Sequence, residues 1–352
     1  MADLRKYLEQ AVHDQASDIF IVAGGPVSEK SEGHICPVDT KKLLPPDTEA
    51  LIREIYTLAE RPITRYLETG DDDFSFAISG LARFRVNTYK QRNSLAAVVR
   101  IVSFDIPDYK DIHIPDQVMD LADITHGMIL FTGTAGSGKS TTQACIIDRI
   151  NKTRDCHIIT LEDPIEYLHK NQRSIVSQRE IAIDTADYLS ALRSCLRQAP
   201  DVILLGEMRD AETIKTAITA AETGHTVIAT MHTKGAINSI DRVIDSFSGA
   251  HQAQIRFQLA TVLRTVVSQQ MVPDKAGNII PAFEIMHVNN AIRGMIRDNK
   301  NYQIENAIIA GKSEGMIRMD DSLLNLFKSG LISKETALNY SDHPEQLIKH
   351  LI

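Results

Sequence analysis

The sequence predicts an α/β protein in two parts: a small α+β unit over residues 1–102 and a larger unit over 116–352 built on a largely parallel sheet, joined by a linker over 103–115. Two observations predict it. At 352 residues the chain exceeds what one compact core comfortably holds. From residue 127 onward, strand and helix patterns alternate, which is the signature of βαβ units.

In the first part, Ser17–Ala23 reads as a short apolar strand closed by Gly24-Gly25-Pro26. Thr48–Leu58 carries Leu51, Ile52, Ile55 and Tyr56 at helical spacing. Phe74, Phe76 and Ile78 alternate with polar residues, as on a half-buried strand. Along Leu81–Thr88 a period of two sends Ala82, Phe84, Val86 and Thr88 to one face, and Arg83, Arg85 and Asn87 to the other. A further apolar run, Ala96–Ile101, carries Arg100, so three arginines fall on strands of one small sheet. Ser103–Pro115 holds two prolines and several aspartates without periodicity and reads as the linker. Beyond it, Gly127–Thr132, His157–Leu161, Val202–Leu205 and Thr226–Thr230 read as strands, and Thr185–Arg197 and Ala211–Glu222 as helices. From about Gln254 the chain reads as mostly helical, interrupted by a hairpin around Ala276-Gly277-Asn278.

Composition narrows the functional classes. With 43% hydrophobic and 24% charged residues the chain is neither disordered nor a membrane span. A net charge of -8 argues against a nucleic-acid partner, which calls for a basic stripe or domain. Cys36, Cys145, Cys156 and Cys195 are scattered and unpaired in spacing, which fits reduced thiols in a cytosolic protein. Met1–Gln15 lacks the apolar stretch of a signal peptide, and no run approaches the roughly 18 apolar residues of a membrane helix. Membrane association is therefore expected only through a partner.

Gly133-Thr134-Ala135-Gly136-Ser137-Gly138-Lys139-Ser140 matches G-x-x-x-x-G-K-[ST] at every position, between an apolar strand and a helix-compatible stretch. Glycines let successive N–H groups turn toward phosphate oxygens, and the following helix adds its positive end. Lys139 places a charge at the β- and γ-phosphates of ATP, Ser140 ligates Mg²⁺, and Thr141 completes the expected phosphate-binding set. A chance glycine turn would not need this strand–loop–helix context. Two more strands end in acids: Val202–Leu205 runs into Gly206-Glu207, a Mg²⁺-associated carboxylate, and His157–Leu161 runs into Glu162, which could deprotonate the attacking water. Taken singly, each could be a solvated strand-end acid; flanking a phosphate loop, the pair reads as catalytic. His225 and His232 bracket a third strand and are expected near the terminal phosphate.

Four blocks in order resemble the secretion and pilus ATPase superfamily, and within it the type IV pilus retraction ATPases: Gly133–Ser140, Leu161–Glu166, Gly206–Asp210 and Thr223–Thr233. Gly80–Asn87 resembles the arginine strand of that family's N-terminal domain, and Ser177-Gln178-Arg179-Glu180 the segment after its acidic block. Ala291–Asp298 is similar to the AIRNLIRE motif of retraction ATPases, with Gly294, Met295 and Asp298 as departures; alone it reads as an amphipathic helix with Ile292, Met295 and Ile296 inward. Phe20, Gln270 and the Glu32–Leu44 stretch also depart from the family pattern.

The resemblance implies a PAS-like N-terminal domain before a RecA-like ATPase domain, assembled as a homo-hexameric ring that acts with an inner-membrane pilus platform protein. It implies Glu162 as general base, Glu207 as the second acid, and His225 and His232 as nucleotide sensors. It makes Arg83, Arg85 and Arg100 candidates to reach the phosphates. Absence of a tetracysteine insertion and of a long N-terminal extension points away from the assembly ATPases of pili and type II secretion. A P-loop kinase would need neither the histidine block nor the arginine strand, and a DNA translocase disagrees with the charge.

Overall fold

The computed structural model describes residues 4–31, 33–102 and 106–351. The chain divides into two compact units, one formed by Met1–Asp105 with Glu166–Leu168, the other by Ile106–Ile165 with His169–Ile352.

The first unit is a six-stranded antiparallel sheet: β1 (Asp18–Ile21), β2 (Ser28–Ser31), β3 (His34–Pro37), β4 (Asp71–Ile78), β5 (Ala82–Gln91) and β6 (Ser94–Val102), in the order β3-β2-β1-β6-β5-β4. Alternation on β5 runs as expected: Ala82, Phe84, Val86 and Thr88 are buried, and the residues between them are more exposed. Their core partners are Leu51, Ile52 and Ile55 of the helix Pro45–Leu58. That helix starts at a proline pair, and Asp47 accepts the N–H of Leu44 at 2.8 Å, placing a carboxylate at its positive end. The short strands β2 and β3 have no counterpart among the predicted elements, because they form an edge hairpin whose outer member is fully exposed, so no apolar alternation marks them.

The second unit carries seven strands: β7 (Gly127–Thr132), β8 (His157–Glu162), β9 (Ile175–Glu180), β10 (Val202–Leu205), β11 (Thr226–Met231), β12 (Leu263–Pro273) and β13 (Ile279–His287). Their order is β13-β12-β7-β11-β10-β8-β9, and every pair is parallel except β12 with β13. Helices cover both faces. Met128, Leu130, Ile159, Leu161, Ile203 and Leu205 pack into one core, while Ile129, Phe131, Ile158, Val202 and Leu204 pack into a second. Burial on both faces explains why these strands are almost uninterruptedly apolar.

The region after Gln254 runs as expected, mostly helical with one hairpin in it: the helix Gly249–Val262 leads into an 11-residue strand that lies parallel beside β7 and returns as a nine-residue strand. The hairpin turn does fall at Ala276-Gly277-Asn278, organised by Asp274, whose Oδ1 accepts the N–H groups of Ala276 and Asn278. One expectation needs correction: not all of 103–115 is a linker. Residues 103–105 lie outside the described residues, whereas Ile114 is buried and Ile106, Tyr109 and Ile112 pack against the second unit's core. Among the described residues no helix is long and apolar enough to cross a membrane.

Candidate nucleotide site

Parallel strands deliver the residues beyond their C-terminal ends to one edge of the sheet, where ligands of α/β folds bind. Gly133 comes directly after β7, His232 directly after β11, Glu207 two residues after β10, and Glu162 ends β8. Because β7, β11, β10 and β8 are successive neighbours, these four groups line up along that edge. Backbone bonds stitch the exits together: Gly206 donates to the Leu161 carbonyl at 2.8 Å and Met208 to that of Thr230 at 3.0 Å.

The phosphate loop is shaped by its glycines. Gly133 has φ +143°, and a Cβ there would run into the Gln269 carbonyl and lie 2.6 Å from Ser137 Oγ. Gly138, at φ +81°, caps the helix Lys139–Thr153, and a Cβ on it would approach the Gln269 amide nitrogen to 2.8 Å. Both glycines therefore press on β12, the strand that periodicity alone did not reveal. Lys139 is buried, and its ammonium donates to the carbonyls of Gly133 and Thr134, each at 2.8 Å, and to Ser137 Oγ at 3.4 Å. Thr134, Ala135 and Gly136 are exposed at the crest, and Ser140 and Thr141 are half-buried in the first helical turn. Thr142 donates to Gln269 Oε1 at 2.9 Å and Gln143 to Thr230 Oγ1 at 2.9 Å, fastening that turn to β12 and β11. Beside it opens a largely apolar cavity of about 290 Å³ lined by Ile112, Ile114, Thr141, Met271 and Ile280, a fitting recess for a planar base.

The acids have distinct surroundings. Glu207 pairs with Arg209 Nη2 at 2.7 Å and lies 3.4 Å from His232 Nε2. Burial pushes its carboxyl upward, but the Arg209 hydrogen bond and the charges of His232 and Arg209 outweigh this and hold it below the usual range. Glu162 accepts from the Thr160 hydroxyl at 2.6 Å and from Gln178 Nε2 at 3.2 Å, both on Oε1. Nearby, burial together with Asp163 and Glu207 pushes the Tyr188 phenol above its ordinary value.

The two histidines part company. Thr226 sits opposite Gly127 and Met231 opposite Thr132, so β11 spans the sheet and puts His225 at the far edge, roughly 20 Å from His232. There His225 Nδ1 lies 2.9 Å from the Ala220 carbonyl and 3.1 Å from Thr223 Oγ1, and its own carbonyl accepts the N–H of Gly127. The expectation that both flank the terminal phosphate is corrected for His225: a strand carries its two ends to opposite edges. In the first unit, Arg83 and Arg85 share the less buried face of β5, Arg85 is paired in register with Arg100, and Arg100 is engaged by Asp18 at 2.9 Å.

Arg209, Tyr188, Thr160, Gln269 and Met271 have no role that the sequence alone suggests. Arg209 does stand inside the block Gly206–Asp210 around Glu207, and Thr160 stands two residues before Glu162 on the same strand; Tyr188, Gln269 and Met271 lack any linear signal, because only the packing of distant segments brings them to the site.

A parallel sheet bearing a glycine phosphate loop after one strand, with carboxylates at the ends of two others, defines the P-loop class of nucleotide-binding proteins. The chain belongs to the Type II/IV secretion system protein family, whose sequence model matches residues 1–311. It is 40% identical over 344 residues to the type IV pilus retractation ATPase PilT of Pseudomonas aeruginosa, covering 97% of this chain and 99% of that one. It is 41% identical over 283 residues to a twitching motility protein of Neisseria gonorrhoeae, covering 80% of this chain and 76% of the other. The crystal structure of the pilus retraction motor PilT with bound ADP superposes with a TM-score of 0.90 at 41% identity, covering 99% of this chain and all of that one.

Proposed function

We propose that this protein is an ATP-hydrolysing motor that powers type IV pilus retraction. The observation that carries the reading is the row Gly133, His232, Glu207, Glu162 along one sheet edge, in a chain that aligns over nearly its whole length with a retraction ATPase. The loop amides and Lys139 hold the phosphates, and the loop carbonyls now satisfied by the ammonium yield to phosphate oxygens, which bear more charge. The Ser140 hydroxyl and the Glu207 carboxylate are hard oxygen donors of the kind Mg²⁺ prefers and would hold the ion, which would supply charge neutralisation on the β- and γ-phosphates.

Glu162 orients water and takes its proton as the new O–P bond forms. The β–γ bridging oxygen leaves with ADP, and Lys139 stabilises the charge that develops there. His232, within reach of Glu207, registers whether phosphate is present. His225 can respond only at a distance, through β11. Arg83, Arg85 and Arg100 would serve as guanidinium donors to the phosphates. Six copies in a ring, acting at the cytoplasmic face of the membrane on a pilus platform protein, would turn domain rotation on hydrolysis into work.

Retraction is favoured over assembly by the near-complete alignment with a retraction ATPase. Glu162→Gln should retain ATP binding and lose at least ~100-fold in turnover. Near-normal hydrolysis in that variant would remove Glu162 from the role of base. Deleting the gene should leave surface pili that no longer retract; loss of the pili themselves would assign the motor to assembly.

A further inference from the structure

The segment Ser177–Glu180 belongs to the family resemblance, yet the hydrolytic roles of the loop, the acids and the histidines leave it without a task. It lies in β9, the edge strand beside β8, with Thr160 opposite Gln178 and Glu162 opposite Glu180. A period of two puts Thr160, Glu162 and Gln178 on the same face. Thr160 and Gln178 both donate to a single oxygen, Oε1 of Glu162, at 2.6 and 3.2 Å. The other end of the Gln178 amide is also committed: Oε1 accepts the backbone N–H of His169 at 2.8 Å.

That second bond fixes the polarity of the amide. Were it turned over, its NH₂ would face the His169 N–H and its carbonyl would face a carboxylate, so both contacts would become repulsive. Gln178 thus presents its donor end to Glu162. A glutamate side chain has several rotatable bonds, and a general base works only when its oxygen is held in line with the proton it accepts.

We propose that Gln178 is a positioning residue for the hydrolytic reaction: with Thr160 it grips Oε1 of Glu162 and so aims the carboxylate at the attacking water. The inference rests on Glu162 being the general base. It requires that Gln178 act on the chemical step while leaving nucleotide binding alone, because β11, β10 and β8 stand between β9 and the strand that carries the phosphate loop.

Two variants separate aiming from mere anchoring. Gln178→Glu keeps an acceptor for the His169 N–H but sets a carboxylate against Glu162. Gln178→Met keeps the length and removes both bonds. If Gln178 aims the base, both variants lower kcat by about 10- to 100-fold, while KM for ATP stays within about two-fold. If Gln178 only anchors the chain at His169, Gln178→Glu turns over ATP at the parental rate, and the proposal falls.

A double variant adds an internal control. In the Glu162→Gln background, Gln178→Glu should cost nothing further, since there is no base left to aim; a full additional loss overturns the proposal. Should Gln178→Glu not fold, Gln178→Met decides by the same split, and parental kcat again refutes. Failure of the underlying reading looks different: Glu162→Gln would itself retain turnover, and the positioning role would go with it.

Discussion

Gly133→Ala tests whether the loop and β12 are as tightly interlocked as the geometry requires. The added methyl would sit 2.6 Å from Ser137 Oγ and closer still to the Gln269 carbonyl, where contacts of about 3.4 Å are normal, so the loop and the strand must separate by more than an ångström. Overpacking of that kind costs about 1–3 kcal/mol, and holding alanine at φ +143° adds about 1–2 kcal/mol of backbone strain. The sum, about 2–5 kcal/mol, falls within the usual 5–15 kcal/mol stability of a domain, so the variant should fold. Its melting temperature should drop by roughly 5–15 °C, and nucleotide should bind at least ~10-fold more weakly because the amides are re-aimed. Gly136→Ala is the matched control: φ is also positive, at +76°, but a Cβ there meets nothing within 4 Å. Only the strain of about 1 kcal/mol should remain. Differential scanning calorimetry and equilibrium binding of a fluorescent ATP analogue would read both effects. Parental stability and affinity in Gly133→Ala would refute the interlocking.

Three further outcomes are expected from the site and its surroundings. Arg209 holds the Glu207 carboxyl down, so the stability this pair contributes is present above the ordinary carboxylate range and is lost as pH falls through the depressed value; Arg209→Ala should move that loss to higher pH in thermal melts, and an unchanged pH dependence would dismiss the pair. Glu284, which accepts the N–H of Ala236 at 2.6 Å, is pushed up to about 7, chiefly by burial; its contribution is present below its unfolded value and lost as pH rises toward 7, so Glu284→Gln should gain stability over the parent between pH 5 and 8, and a constant difference would rule out the titration. Arg83→Ala should slow hydrolysis with little change in melting temperature; unchanged turnover would assign Arg83 to structure alone.

Much of this architecture was legible without coordinates. β7 and β10 and the helix Ala211–Glu222 begin and end where their residue patterns say, because strands buried on both faces and an amphipathic helix each carry a local signal. The phosphate loop was equally plain, since its glycines are dictated by backbone conformation at the loop itself. The hairpin of β12 and β13 was legible from its turn but the extent of its strands was not: Leu263–Pro273 mixes apolar and polar residues without a clear period, and what makes it a strand throughout is its pairing with β7 and β13. β2 and the edge strand β9 carry polar residues at most positions, and the four-residue edge strand β3 is exposed throughout, so no apolar alternation marks them.

The same division runs through the site. Sequence by itself determined the chemistry on offer: a phosphate cradle, Lys139, Ser140 and two strand-end acids, all of them motifs whose function lies within a few residues of chain. Tertiary structure alone decided who stands next to whom. It brought His232 onto Glu207, set Gln178 beside Thr160 on one oxygen of Glu162, and fastened Thr142 of the first helical turn to Gln269 of β12. Strand order and register govern those distances, and both are settled by how separate segments bury their faces against one another, which no local pattern records.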